Sequence, residues 1–425
     1  MSLTPETVLA DLIKINTTNP PGNEIEAALY LKNLFDVAGI PGEIIESEPG
    51  RGNFIARLGE GERKLLFLSH TDVVPAGEGW DFDPFSGEIK NGTVYGRGAI
   101  DCKSLAAAGA CAMLILAKEY PLGGALIFAA TADEEKGGKY GVRYLVDRHR
   151  EKIQADFAVN EGAEEPVVLG GQPVHFIQTG EKGTAWSKLE ARGVSCHGSL
   201  PGLGDNAVVR MAGAVKTLAE YKPEIRIIPE VALMLQEILR IKKLNVKPEE
   251  IDAVLGNFED KTFAEYLRAL TRMTVSPNVI YGGEKVNVVP DYCQAEVDIR
   301  ILPGQDDNYV LGELQKLLPD GTMVEILNYH VPSFSPVNSP YYTLIEATLK
   351  KVAGEVTCLP QISTGATDSR FLREAGISCY GIAPMAKDFD PQIKATIHGK
   401  NERIDVASLQ VKVEFLVALA RAYLS

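Results

Sequence analysis

In a chain of 425 residues, His70, Asp72, Asp101, the adjacent pair Glu134 and Glu135, Glu161 and His398 are the side chains best suited to metal binding or proton transfer. Imidazole and carboxylate are the donors that divalent first-row cations take, and a carboxylate left uncoordinated can serve as a general base. Three short apolar runs end in these potential ligands. Residues 65–69 lead into His70-Thr71-Asp72, 125–131 into Asp133-Glu134-Glu135, and 157–160 into Glu161-Gly162. If the runs are neighbouring parallel strands, their carboxyl ends share one sheet edge, which is where such sheets bind ligands. Asp101, Glu134, Glu135 and Glu161 gathered in one cleft would repel, and some would take up protons unless cations were present. Two divalent ions relieve that repulsion, so the cluster implies its own cofactor.

Each residue also has a plainer reading. Asp101 precedes a helix of small residues and could simply cap it. An acidic pair at a strand end is commonly a solvated turn, and a loop histidine such as His398 is commonly a surface residue. His149 among charges at a helix end, His175 in an apolar strand-like run and His330 at a domain junction are read as structural.

The elements that must position these residues alternate in type. Strand-like runs at 64–69, 124–131 and 155–160 are separated by helical patterns at 103–119 and 139–150, which argues for an α/β layer with a mainly parallel sheet. From about residue 184 the pattern becomes an apolar–polar alternation, as in a half-exposed strand. Strands at 274–280 and 292–302 and helices at 205–220 and 306–318 complete an α+β unit. The stretch 221–269 looks like a helical insertion on it. Beyond the proline- and serine-rich 332–340, helices at 341–353 and 407–424 and a strand at 378–382 restore the α/β character. The expected architecture is a mainly parallel α/β domain (1–180 and 331–425) interrupted by a smaller α+β domain (181–330).

Composition narrows the function. An apolar share of 45% and a charged share of 24% suit a globular protein. A net charge of −14 disfavours a nucleic-acid partner. The most apolar helical stretch, 105–117, is too short to span a membrane. Residues 1–11 carry Glu6 and Asp11 and show no signal-peptide pattern, so a cytoplasmic location is expected. Cysteines at 102, 111, 196, 293, 358 and 379 form no CxxC pair and are expected to be reduced and mostly buried.

Taken together the motifs resemble the M20 metallopeptidase family of deacylases and carboxypeptidases over almost the whole chain. The carriers are Ser69-His70-Thr71-Asp72-Val73-Val74-Pro75, Gly96-Arg97-Gly98-Ala99-Ile100-Asp101-Cys102-Lys103, Ala132-Asp133-Glu134-Glu135 and Asn160-Glu161-Gly162. Further matches are Ser195-Cys196-His197-Gly198-Ser199, Val286-Asn287-Val288-Val289-Pro290, Asp298-Ile299-Arg300, Gly365-Ala366-Thr367-Asp368 and His398-Gly399-Lys400-Asn401-Glu402.

The resemblance implies two divalent metal ions per chain, zinc first, with cobalt or manganese as alternatives. His70 and Glu161 would hold one ion, Glu135 and His398 the other, and Asp101 would bridge them. Asp72 would orient His70, and Glu134 would be the general base rather than a ligand. The interrupting domain would be a lid and a homodimer contact. His197 would reach the reacting carbonyl, Asn287 and Arg300 would hold the substrate carboxylate, and Gly365 would line the substrate. Plainer readings stay open here too: a turn residue for His197 and a strand-end salt bridge for Arg300. The insertion at 221–269 exceeds the compact lid of the bacterial deacetylases, leaving open whether His197 acts across a dimer. The implied activity is hydrolysis of an amide beside a free carboxylate, in a small N-acyl-amino acid or a peptide. A dipeptidase or carboxypeptidase, and a non-catalytic binding protein on the same scaffold, are the alternatives.

Overall fold

The apolar runs that end in candidate ligands are strands. They span Lys64–His70, Ala125–Thr131 and Phe157–Asn160. Every residue of the last two is buried, which is why they read as unbroken apolar runs. Lys64–His70 lies between them and runs parallel to both, with His70 opposite Thr131 and Phe67 opposite Val159. Ser378–Ile382 extends the parallel series beyond Phe157–Asn160. The outer pairings are antiparallel: Gly52–Leu58 and Gly42–Glu46 on one side, Gln172–Glu181 on the other. The computed structural model describes residues 3–119, 122–241, 250–354 and 356–425.

From Lys64–His70 the chain passes to Ala125–Thr131 on one flank and then crosses to Phe157–Asn160 on the other. The order of strands therefore reverses beside His70, and such a switch point opens a crevice at the carboxyl ends. The crossover helix Lys103–Leu116 is alanine-rich and buried at every residue but Ile115. A helix apolar all round belongs inside. It shares one core with Pro5–Lys14, Glu24–Val37, Pro340–Ala353 and Val406–Leu424, and with Phe54, Phe67, Phe128 and Phe157 of the sheet. The alternate residues Ile55, Leu66, Leu68 and Ile127 face the other way, against Val142, Leu145, Phe371 and Leu372. The helix expected over 139–150 is broken: Val142–Arg148 ends at His149, and Arg150–Ile153 starts anew.

The chain divides into two units. One comprises residues 1–179, 334–361 and 367–425, the other 180–333 and 362–366. The second unit holds an antiparallel sheet in the order Thr274–Gly282, Tyr292–Ile301, Gly183–Arg192, Met323–His330. Burial alternates strictly along Tyr292–Ile301. Its buried face packs with Ala207–Glu220 and Asp307–Leu317 in a separate core. The 221–269 stretch forms helices Pro229–Ile241, Ile251–Gly256 and Lys261–Leu270; its residues 242–249 lie outside the described residues.

Candidate metal centre

His70 ends its strand inside the sheet, and the pairing with Thr131 sets it beside the turn that carries Asp133, Glu134 and Glu135. Its Nδ1 faces Asp72, 3.0 Å from the backbone oxygen and 3.4 Å from Oδ1. With Nδ1 so engaged, Nε2 is the atom presented to the cleft, the arrangement that fixes the tautomer of a metal-binding imidazole. That Nε2 lies 3.0 Å from Asp101 Oδ1, and His398 Nε2 lies 3.0 Å from Asp101 Oδ2. Glu135 Oε2 is 3.3 Å from the same His398 nitrogen. Asp101 does not cap the helix that follows it; that helix starts after Cys102 with no side-chain cap.

Two donor groups emerge, His70 with Asp101 and Cys102, and Asp101 with Glu135 and His398, and Asp101 belongs to both. Cys102 was not expected there; its thiol also accepts the His70 N–H at 3.3 Å. Burial pushes that thiol up to about 12, away from the thiolate that would bind metal. Glu161 follows the strand Phe157–Asn160, and its charge acts on both Glu134 and Cys102.

Electrostatics and hydrogen bonding test whether these residues suit a pair of cations. Hydrogen bonds to the Asp101 and Glu135 carboxylates raise His398 to about 10, against an opposing desolvation. Desolvation also opposes charge on His70, yet the hydrogen-bonded carboxylates of Asp101 and Asp72 favour it, and His70 is held well above the ordinary range. For Asp101, desolvation is outweighed by hydrogen bonds from His398 and His70, and its carboxyl is held low. The cluster thus carries a negative potential that favours positive charge. Glu135 Oε1 is buried with no hydrogen-bond partner, while Oε2 of the same carboxylate faces His398. These donors have the chemistry that divalent cations take, and Asp101 belongs to both groups.

Glu134 stands apart from its neighbour. Desolvation, followed by the charges of Glu161, Asp368 and Glu135, drives its carboxyl well above the ordinary carboxylate range although His70 pulls the other way. Its backbone N–H donates to Asp72 Oδ1 at 3.1 Å, while that of Glu135 donates to Asp72 Oδ2 at 3.1 Å. Asn19 Nδ2 donates to Asp72 Oδ2 at 2.9 Å and to Asp133 Oδ1 at 3.1 Å, and Arg51 Nη2 reaches Asp133 Oδ1 at 2.8 Å. Asp133 itself takes a left-handed φ of 69°. Asn19 and Arg51 were missed from the sequence because only the fold brings them beside Asp133.

The other expected residues lie in the second unit. His197, in the short strand Cys196–His197, has Nδ1 2.8 Å from Ser199 Oγ. The Asn287 carbonyl accepts the Gly198 N–H at 2.7 Å, so these two loops are neighbours. Gly365 donates its N–H to Ser363 Oγ at 3.1 Å. Arg300 is in a salt bridge: Nε lies 2.7 Å from Asp298 Oδ1 and Nη2 3.2 Å from Oδ2. Residues two apart on a strand project to the same face, which makes that pairing local. The other side of its guanidinium has a longer contact, Nη1 to Thr184 Oγ1 at 3.4 Å.

A sheet-edge cluster of imidazoles and carboxylates around one shared aspartate is what a dinuclear metal-dependent hydrolase requires. Comparison with known proteins agrees. The profile of peptidase family M20/M25/M40 matches residues 66–422. A probable succinyl-diaminopimelate desuccinylase of Staphylococcus aureus (strain MRSA252) is 29% identical over 375 residues, covering 85% of this chain and 84% of the relative. The human N-fatty-acyl-amino acid synthase/hydrolase PM20D1 is 31% identical over 377 residues, 83% of this chain and 73% of the relative. Among solved structures, an M20 family metallo-carboxypeptidase from Sulfolobus solfataricus superposes with a TM-score of 0.73 at 22% identity, covering 100% of this chain and 99% of that one. The chain belongs to peptidase family M20/M25/M40. It is a hydrolase, and its chemistry is metal-dependent cleavage of an amide bond. No helix among the described residues is long and apolar enough to cross a membrane.

Proposed function

We propose that the chain removes the acyl group from N-acyl-amino acids, releasing a carboxylic acid and a free amino acid, with two zinc ions bound. The observation that carries this reading is Asp101, one oxygen toward His70 and the other toward His398, with Glu134 close by. In this reading His70 and Glu161 would hold one ion, Glu135 and His398 the other, with Asp101 shared between them. Zinc suits imidazole mixed with carboxylate; cobalt and manganese accept the same donors. When bound, the ions polarise the scissile carbonyl and acidify a water molecule. Glu134 takes the water's proton and delivers it to the leaving nitrogen. Asp72 keeps Nδ1 of His70 engaged and holds the backbone of both glutamates in place.

Four further residues would contact the substrate in this reading. His197 donates to the developing oxyanion, Asn287 and Arg300 take the substrate carboxylate, and Gly365 offers backbone close to it. Because Asp298 occupies the Nε–Nη2 edge of Arg300, the substrate would be met through Nη1. Exposed Leu203, Val209 and Val286 on the second unit support a homodimer contact there. All six cysteines are free and all but Cys196 are buried, which supports a reducing, cytoplasmic setting.

Deacylation is favoured over peptide cleavage by the desuccinylase and the acyl-amino acid hydrolase among the relatives. A panel of acetyl-, succinyl- and long-chain acyl-amino acids set against dipeptides tests it. The expected outcome is a kcat/KM at least about tenfold higher on an acyl-amino acid, a difference of roughly 1.4 kcal/mol in transition-state binding. Preference for dipeptides with a free amino terminus would replace this reading by a dipeptidase.

A further inference from the structure

We propose that Glu402 is a positioning residue of the metal centre, clamping the loop that carries His398 onto the loop that carries Asp101 and so setting how the two metal sites are spaced. The inference rests on the ligand assignment just given. Glu402 is fully buried, and each carboxylate oxygen accepts two hydrogen bonds. Oε1 accepts from the N–H groups of Ile100 at 2.8 Å and Asp101 at 3.1 Å. Oε2 accepts from the Gly98 N–H at 2.9 Å and from Arg97 Nη1 at 2.7 Å. Glu402 also accepts the Gly96 N–H at its own carbonyl, 2.9 Å away.

Arg97 carries the clamp further. Its Nη2 donates to the Gly399 carbonyl at 2.8 Å, next to His398, and reaches the Ala76 and Pro75 carbonyls at 3.4 and 3.5 Å. The guanidinium lies 5.2 Å over the Trp80 ring. One buried ion pair therefore ties together the segments after Asp72, before Asp101 and after His398.

His398 is the ligand that needs such a support. Its side chain is 53% exposed, so packing does not hold the imidazole. Its backbone is in the left-handed region at φ 55°, as is that of Asn401 at φ 58°. An exposed side chain on an unfavourable backbone goes where its loop is held, and Glu402 holds that loop at the backbone N–H of Asp101 itself. Partners of this kind behind metal ligands typically govern metal affinity.

In Glu402→Gln, one acceptor oxygen becomes an amide NH2 facing backbone donors. Calorimetric titration of metal-stripped protein with Zn2+ reads the effect. The wild type is expected to bind two ions. Glu402→Gln is expected to weaken at least one of them by about 10–100-fold, with excess Zn2+ restoring occupancy and the circular dichroism spectrum unchanged. An ion pair that only held the fold would lower the unfolding temperature and leave both dissociation constants alone. A folded Glu402→Gln with wild-type constants overturns the proposal. Should that variant not fold, Arg97→Lys, which keeps the charge but loses the forked contact to Gly399, is judged by the same criterion. His398→Ala is the control. If the wild type does not bind a zinc pair, or His398→Ala still does, the ligand assignment fails rather than the clamp.

Discussion

Asp72 shows how much one carboxylate can organise. It faces the imidazole of His70 and accepts the backbone N–H groups of Glu134 and Glu135 and the Asn19 amide. Sequence reasoning assigned it to His70 alone, because only the register of His70 with Thr131 brings the acidic turn beside it. His70, Glu135 and Glu161 were singled out as candidates on physical grounds because each lies at or just beyond the end of an apolar run. Asp101 and His398 were proposed mainly from resemblance, since a helix start and an exposed loop look the same whether or not a metal is present. His175 makes the opposite case: a histidine read as structural that proves buried, with Nδ1 lacking a hydrogen-bond partner. Burial lowers it from 6.5 to about 4. Its contribution to stability is therefore present above 6.5 and is lost as the pH falls through about 4. His175→Leu is expected to lose up to about 3 kcal/mol less than the wild type on acidification from neutral pH to below 4, read from urea unfolding. Equal acid sensitivity of the two would show that His175 is not buried as described.

Among the elements, the helix Lys103–Leu116 is the one that both crosses the sheet and follows Asp101. Its alanine and glycine content was visible in the sequence as a buried helix, and the reason is close approach to the sheet. A Cβ on Gly109 would lie 2.7 Å from Phe128 Cε2 and 3.0 Å from Cδ2. Phe128 cannot readily yield, because Phe35 stacks on it at 5.8 Å and Phe54 abuts it at 6.3 Å. Helix propensity alone would make Gly109→Ala stabilising by roughly 1 kcal/mol. We expect the reverse, a loss of about 1–3 kcal/mol from overpacking, measured by thermal or denaturant unfolding. A stabilised variant would mean the helix can move off the sheet. The break at His149 and the helices Pro5–Lys14 and Glu24–Val37 were not legible. The helical pattern of 139–150 runs through the break, and the N-terminal helices pack in one core with Lys103–Leu116.

At the scale of the molecule, the parallel centre of the sheet was readable because strands buried on both faces are continuous apolar runs. The antiparallel flanks carry more mixed sequences and were not anticipated. All five proposed metal ligands belong to one unit, although the other unit separates His398 from the rest in sequence. The chemistry thus depends on the first and last stretches of the chain folding together. The substrate roles proposed for His197, Asn287, Arg300 and Gly365 rest on family motifs, because a lone Cys-His-Gly-Ser turn or a strand arginine carries no signal of its own. The central claim is that metal is held by five ligands while Glu134, beside one of them, moves the proton. Metal content and kcat measured on the same samples of wild type and Glu134→Gln test it most directly. The account predicts two ions per chain in both proteins, a fall in kcat of about 10²–10⁴-fold in the variant, and loss of wild-type activity after exhaustive chelation. Undiminished turnover in Glu134→Gln with its metals in place, or full wild-type activity without metal, would contradict it.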